Sequence, residues 1–536
     1  MSDALTCGEA LMDLLSQYEV DTVFGMPGTH TVELYRGISR SEIRHIQCRN
    51  EQGASLMADG YARATGKPGV CTIVTGPGVT NASTGMAQAY CDSQPMLVLS
   101  GACATRTLGK GWGTVHELDD QSAVTRSFTA LSAMTHHHEE LPELVARSFA
   151  VFRGGRARPV HISLPWDILP SITKLPWRAR NTPSRPMPDP GAIHAGAEVL
   201  ANSKRAMILV GGGAIGSGKS IKEVAEIIGA TVLTTNAGKG VLPESHPLSL
   251  GCSILSPHAH AELAAADVVL IIGSEVAEGD HFLPELQING KIVRIDIDPT
   301  ELVSLYAPTV AIQSDAVFAM RALAATLTQY SQNGQNTDAE NRVTSIKAKM
   351  QADLTDVEKQ HIQVWNIIRN CSDDDAIVMG DISQIVYTGS FAMPLEMDRC
   401  WFYPGTYCAL GVALPMAIGA KIGAPERQVI AVTGDGGFMF TANELATAVE
   451  EKLPIPIVVW NNFALKEIVD QMDRRQMPRL GVEPATPNFV ALAKSFGANG
   501  VCVDSAAQLG AAILNAYQAN GPTLIEVQQD SPWLVT

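Results

Sequence analysis

Two stretches of this chain follow one plan. In GVCTIVTGPGVTNASTGMAQAYCDSQPMLVLSG (69–101) and QVIAVTGDGGFMFTANELATAVEEKLPIPIVVWNN (428–462), an apolar strand ends in Thr-Gly. A Gly-rich turn and a helix follow, and a proline precedes a second apolar strand. A strand apolar at every position needs cover on both faces, which is the condition of a parallel sheet with helices on each side. Runs of the same kind recur in PVHISLP, RAMILVGGG, DVVLIIGS, KIVRIDIDP and DAIVMGD. The expected class is α/β, with three doubly wound parallel-sheet domains of which the first and third are related. A chain of 536 residues is too long for one core. Two breaker-rich segments, LPWRARNTPSRPMPDPG (175–191) and TQYSQNGQNTDAENR (328–342), divide it into 1–175, 186–330 and 343–536.

Composition narrows the partners. The formal net charge of −16 is spread along the chain, and no basic cluster offers a footing for nucleic acid or an anionic membrane. The N-terminal MSDALTCGEALMDLLSQ has Asp and Glu where a secretory signal would have Lys or Arg. Thr6 and Glu9 form a capping-box pattern, and Leu11, Leu14, Leu15 and Tyr18 share a face, so a helix is expected. No apolar run is long enough to span a bilayer. The ten cysteines are scattered without a C-x-x-C pair, as expected for reduced thiols of a cytoplasmic protein.

Two loops are candidates for phosphate. GAIGSGKS (213–220) fits G-x-x-x-x-G-K-[ST] after a strand, a pattern that would set Lys219 on β/γ-phosphates and Ser220 on Mg²⁺ in a nucleotide-dependent enzyme. A Gly-rich strand-to-helix turn accounts for the same letters, and DVVLIIGSE lacks the aspartate of a companion motif. The second loop has more parts. Asp435 ends a parallel strand, the edge where such sheets bind ligands. Gly436 and Gly437 let the backbone approach a phosphate, and the helix that follows offers its first N–H groups. The next strand delivers Asn461 and Asn462 to the same edge. A carboxylate, a carboxamide oxygen and a loop carbonyl form a hard oxygen site suited to Mg²⁺.

This GDG–NN pattern resembles that of thiamine diphosphate (ThDP) enzymes, specifically the 2-oxo acid decarboxylase and acetolactate synthase family, and the resemblance covers essentially the whole chain. It implies a pyrimidine-binding domain, a Rossmann-like central domain and a diphosphate-binding domain within the three bounds above. It also implies Mg²⁺ held by Asp435, Asn462 and the backbone carbonyl of Ala464, with Asn461 structural and Gly434, Gly436 and Gly437 on the cofactor. In RNEQGASLMADGYARATGKPGV (49–70), Glu51 matches the family's catalytic glutamate. That residue hydrogen-bonds the aminopyrimidine N1′, so that the cofactor's own 4′-nitrogen can take the thiazolium C2 proton. In PGTYCALGVALPMAIGAKIG (404–423), Leu410 matches the aliphatic side chain that bends the cofactor. Cys408 stands where the family commonly has Gly, its carbonyl accepting from the 4′-amino group. GDISQ (380–384) resembles the second diphosphate loop, which brings in Asp381, Ser383 and Gln384.

The substrate side follows from the same resemblance. FGMPGTHTVELY (24–35) is similar to the loop that enters the active site, with Thr29 and His30 toward the substrate. His30 could bind the substrate carboxylate or move protons near neutral pH. TLGKGWGTVHELDDQ (107–121) is similar to the segment lining the same cleft and brings in His116. His136–His138 are read as solvated. After NN the chain continues FALKEIVDQM, where Glu467 and Asp470 are carboxylates that could meet a substrate. GSEVAEGDHF (273–282) lacks the arginine-rich character of flavin-containing acetolactate synthases, so FAD is not expected. PGTHTVELYRG, ADGYARATGKPGV and ELATAVEEKLPIPIVVWNN look most like the 5-guanidino-2-oxopentanoate (2-ketoarginine) decarboxylase branch. The implied activity is non-oxidative decarboxylation of a 2-oxo acid to an aldehyde through an enamine, with acetolactate-synthase-like carboligation as the alternative. The implied assembly is a homodimer or homotetramer whose active sites are shared between chains.

Overall fold

A computed structural model describes residues 5–173, 176–330 and 338–534. The apolar runs named above are strands buried almost throughout. They build three six-stranded sheets. In the first, Arg44–Gln47, Thr22–Gly25, Gly69–Ile73, Met96–Ala102, Val160–Pro165 and Leu131–Met134 lie side by side, every neighbouring pair parallel. The third runs Trp401–Phe402, Ile377–Gly380, Val429–Gly434, Pro456–Asn461, Thr523–Gln528 and Asn499–Cys502, again parallel. Counted in chain order within each domain, both sheets read 2-1-3-4-6-5, so the internal repeat extends to the whole topology. The middle sheet reads 6-5-4-1-2-3, the Rossmann order seen from its other edge.

The first and third sheets face each other across one core. Phe24, Cys71 and Val98 from one sheet and Met379, Ala431 and Val459 from the other belong to a single cluster of buried side chains. Between the sheets the helix Glu51–Thr65 lies against the helix Ala413–Gly423. Glycine is required at this crossing. A Cβ on Gly60 would stand 2.1 Å from the Met416 carbonyl oxygen, and one on Gly419 only 1.9 Å from that of Met57. At the rim, the fully buried Glu444 carboxylate accepts from the Arg49 amide at 3.1 Å, and Arg49 and Arg44 pair with Glu450 and Glu451.

The middle domain is tied to both neighbours. Arg156 of the first domain pairs with Glu275 and with Glu301 at 2.9 Å. Asn236 Oδ1 accepts from Trp401 Nε1 at 3.1 Å and from the Ser390 hydroxyl at 2.7 Å. The helix Ala339–Ala352 buries Val343 and Ile346 in the core around Leu263 and Val269. The helix therefore packs on the middle domain, although its first turn has the composition of a polar connector. The N-terminal helix Cys7–Gln17 starts at Thr6 with both capping-box hydrogen bonds and buries Leu11, Leu14 and Leu15.

One expected element differs. The single helix read after Gly-Asp-Gly is broken into Asp435–Phe438, Ala442–Glu444 and Leu445–Glu450. The break is held by the Thr441 hydroxyl, which donates to the Gly411 carbonyl at 2.6 Å. The corresponding helix of the first domain, Pro77–Cys91, is continuous.

Two measurements check this account. Gly419→Val should cost about 1–3 kcal/mol of stability in urea titration, because the new side chain meets backbone that cannot turn aside. A parent-like midpoint would show that the crossing is looser than described. His161, fully buried between the Ser100 and Thr125 hydroxyls at 2.7 and 2.8 Å, is pushed by burial from 6.5 to about 3. Its stabilising contribution is complete above pH 6.5 and is lost as pH falls toward about 3, because only the unfolded chain takes up the proton. Between pH 7 and 5 the parent should lose about 2 kcal/mol more than a His161→Gln variant. Parallel stability curves would contradict this.

Candidate active site

Two clusters of polar side chains stand at carboxyl ends of strands, one on the first sheet and one on the third. In the first, the Asn50 side chain caps the helix Glu51–Thr65 and so fixes where Glu51 begins it. Glu51 is buried, and its Oε2 accepts from Asn81 Nδ2 at 3.0 Å. Glu51, Gly78 and Val74 lie together beneath the turn at Gly76. Gly76 has φ +63°, and a Cβ there would stand 2.4 Å from the His116 carbonyl oxygen, so the loop carrying His116 lies directly over it. Gln121 braces this turn. Its Oε1 accepts from the Gly76 amide at 3.0 Å and the Thr75 hydroxyl at 2.7 Å, while its Nε2 donates to the Ser100 hydroxyl at 2.8 Å.

His30 and His116 meet with ring centroids 5.4 Å apart. His30 is buried with Nδ1 unpartnered, and burial, with His116 beside it, lowers its pKa, so it is neutral at pH 7. His116 is exposed and holds φ +63°, a left-handed backbone rare for its type. Thr29 opens the turn Thr29–Thr31 and is exposed. His136 and His137 are exposed at a turn, well apart in the chain from this cluster, and His138 is half-buried.

In the second cluster Asp435 is buried at the end of Val429–Gly434. Burial raises its carboxyl to about 6, while the amides of Gly436, Asn462 and Phe463 pull the other way. These amides bring the Gly-Asp-Gly turn and the Asn-Asn turn together. Asn461 faces away, its Nδ2 donating to Glu526 Oε1 at 2.7 Å and its Oδ1 accepting from the Phe463 amide at 3.1 Å. Asn462 Oδ1 accepts from the Ala464 amide at 3.2 Å. Phe463, between them, has φ +59°. Such backbone strain persists where surrounding structure imposes it, and it collects at functional sites.

The donor set fits a hard divalent cation: one carboxylate on the Gly-Asp-Gly turn, with one carboxamide oxygen and the Ala464 carbonyl on the Asn-Asn turn beside it. It fits a diphosphate as well. Ser383 Oγ is buried without a hydrogen-bond partner among the described residues, and its Cβ would be 3.3 Å from a Cβ on Gly434. Gly436 and Gly437 complete the same wall, toward Leu465 and Asp381.

Asp381 differs from its expected use. Its carboxylate accepts from the Ile382 and Gly411 amides at 2.8 and 3.0 Å and from the Thr433 hydroxyl at 3.0 Å. It braces the strand end instead of facing a ligand. Gln384 Nε2 donates to Asp470 at 2.9 Å and to Glu467 at 3.4 Å, so both carboxylates reach the rim of this cluster. Leu410 is half-buried on the turn before Ala413–Gly423, and Cys408, with φ +57°, is exposed.

The loop 213–220 is arranged unlike a phosphate cradle. The amides of Gly213, Ala214, Ile215 and Ser217 donate to chain carbonyls, and that of Gly216 donates to the Asp398 carboxylate at 2.9 Å. The amides of 213–217 are taken, and an anion would meet Asp398. Sequence reasoning passed over Asn81 and Gln121. Asn81 had a usable signal, being one helical turn past the glycine that lies beside Glu51. Gln121 had none, since only the fold brings it to Gly76.

Comparison with known proteins agrees with this geometry. Residues 5–124 match the thiamine pyrophosphate enzyme N-terminal TPP binding domain, 193–323 the central domain and 381–527 the C-terminal TPP binding domain. A probable 2-ketoarginine decarboxylase of Pseudomonas aeruginosa is 42% identical over 98% of this chain and 94% of its own. A probable acetolactate synthase large subunit of Methanocaldococcus jannaschii is 31% identical over 97% of this chain and 91% of its own. The acetolactate synthase isozyme 1 large subunit of Escherichia coli is 30% identical, covering 98% and 94%. With all three domains matched in order and relatives aligned from end to end, the chain belongs to the thiamine pyrophosphate enzyme family.

Proposed function

We propose that the protein decarboxylates a 2-oxo acid with a guanidinium tail, of the 2-ketoarginine kind, to the corresponding aldehyde, using thiamine diphosphate and Mg²⁺. The observation that carries this reading is the end-to-end match, at 42% identity, to a probable 2-ketoarginine decarboxylase. Asp435, Asn462 and the Ala464 carbonyl hold Mg²⁺, and Gly434, Gly436, Gly437, Ser383 and Gln384 face the diphosphate. Leu410 would support the cofactor, and the Cys408 carbonyl would accept from its amino group. Glu51, kept from bulk water and oriented by Asn81, holds the hydrogen bond to the aminopyrimidine. The bound cofactor supplies a thiazolium that accepts the electrons left when carboxylate departs as CO₂. His30, neutral at pH 7, and His116 beside it orient the substrate carboxylate and hold a proton for the product carbon, with Thr29 at the entrance. Glu467 lies at the rim.

Glu51 and Asp435 stand on different sheets, and exposed apolar side chains rim both clusters: Trp112 and Val115 at the first, Tyr407, Phe440 and Phe463 at the second. This supports a homodimer, alone or paired into a tetramer, in which one chain's first domain meets its partner's third. The ten free thiols and the acidic charge are in keeping with a cytoplasmic protein. The acetolactate synthase relatives support a second reading, in which the product carbon is joined to another carbonyl compound.

The test is CO₂ release from pyruvate, benzoylformate, a branched-chain 2-oxo acid and 2-ketoarginine, with ThDP and Mg²⁺ and no acceptor. The 2-ketoarginine reaction should be fastest, stop when Mg²⁺ is chelated, and fall at least about 100-fold in Glu51→Gln. CO₂ appearing only with an added acceptor would favour the carboligase, and an unaffected Glu51→Gln would sink both readings.

A further inference from the structure

The third cluster of interest lies where the middle domain meets the third. The helical turn Glu278–His281 follows the strand Val268–Ile272, so Asp280 stands at the carboxyl edge of the middle sheet, where doubly wound sheets take ligands. The turn is pressed onto the third domain: a Cβ on Gly279 would be 2.1 Å from the Gly405 carbonyl oxygen. Asp280 Oδ1 would in turn lie 3.9 Å from a Cβ on Gly405, three residues before Cys408. Asp280 is thus deep in a cleft, yet part of its surface stays open.

Its carboxylate lacks a counter-charge. Among the described residues no lysine, arginine or histidine forms an ion pair with it, and burial pushes its carboxyl up to about 7. The neighbouring Asp92 adds to that rise, and the Asn236 amide opposes it. The other candidate carboxylates differ. Asp470 is paired with Lys466 at 2.5 Å and Glu467 with Arg474 at 3.3 Å, so neither has a whole charge to offer.

Aromatic rings complete the cleft. Tyr403 lies beside Asp280, its ring 3.2 Å from the same Cβ position on Gly405. The Tyr403 and Tyr387 rings meet edge to face at 6.0 Å, and Phe282 meets Tyr387 in the same way at 6.2 Å. Phe282 is exposed and holds a left-handed backbone at φ +55°, a conformation that bulky residues rarely adopt. A planar guanidinium stacks on aromatic faces and accepts a carboxylate partner in its plane, and an unpaired carboxylate among rings suits it better than any neutral group.

We propose that Asp280, with Tyr403, Tyr387 and Phe282 around it, forms the subsite that receives the guanidinium end of the substrate and sets the preference for a cationic 2-oxo acid. The subsite rests on the decarboxylase reading above. It places the substrate's charged tail against the same chain's middle domain while its reacting carbon lies toward Cys408 and Leu410.

The test uses the full chain loaded with ThDP and Mg²⁺. Asp280→Asn should lower kcat/KM for 2-ketoarginine at least about 30-fold, mostly through KM, and leave an uncharged straight-chain 2-oxo acid of equal length within about threefold. Phe282→Ala, at an exposed position, should lower kcat/KM for the cationic acid about fivefold while its melting temperature stays at the parent value. Calorimetry with guanidinobutyrate, which cannot react, should show binding to the parent and none to Asp280→Asn. Equal losses on both acids, or an Asp280→Asn variant that keeps its preference, would overturn the subsite. If the parent turns over only uncharged acids yet binds guanidinobutyrate through Asp280, the subsite stands and the named substrate falls. If guanidinobutyrate does not bind the parent, the subsite is overturned whatever the enzyme decarboxylates.

Discussion

The close crossing of Glu51–Thr65 over Ala413–Gly423 is the contact on which the rest of the molecule depends. Gly60 and Gly419 each lie against the other helix's backbone, so the two helices approach nearer than side chains would allow. Both ends of this crossing are chemically important. One helix opens with Glu51, and the other is preceded by the turn that carries Cys408, Leu410 and Gly411. The core between the first and third sheets is therefore also the frame that positions parts of both clusters. Packing on the far face of the first sheet, around Leu11 and Phe149, includes no residue of either cluster.

Buried charge separates supporting residues from those available to a ligand. Arg63 is enclosed between Asp59 at 2.8 Å and Asp92 at 2.7 Å, and all three are satisfied by one another. Glu444 and Asp381 are satisfied by backbone amides and hydroxyls. Asp435 and Asp280 are the contrast. Each is enclosed at the carboxyl edge of a parallel sheet, and each has amides but no cation beside it among the described residues. An enclosed carboxylate without a counter-ion is costly to keep ionised, and a positive partner relieves that cost.

Much of this was legible in the chain itself. Continuous apolar runs marked the central strands because those strands are covered on both faces, and Asp435 and Asn462 follow directly on strand ends, which sets them at the sheet edge. The role of Asn461 as a strut was legible as well. What escaped depends on contacts between distant segments. Asp381 carries the same Gly-Asp signature as Asp435, yet Gly411 and Thr433 turn it inward, and nothing in its own neighbourhood shows that. The break after Gly-Asp-Gly comes from Thr441 reaching Gly411. The helix Ala339–Ala352 buries so few side chains that its composition reads as a connector. Asp280 sits in a stretch notable in sequence only for the arginines it lacks.

The two asparagines at the end of Pro456–Asn461 have a consequence for how fast the site could fill. Asn461 anchors to Glu526, Phe463 is held in a left-handed twist by the Asn461 side chain, and Asn462 closes on Ala464. The curvature of the turn is thus set by bonds internal to the third domain. Whatever docks there meets a turn whose shape the chain already holds, so less entropy is lost by the chain on binding. For the proposed Mg²⁺, dehydration of the ion, not rearrangement of the turn, would be the costly part of loading at such an edge.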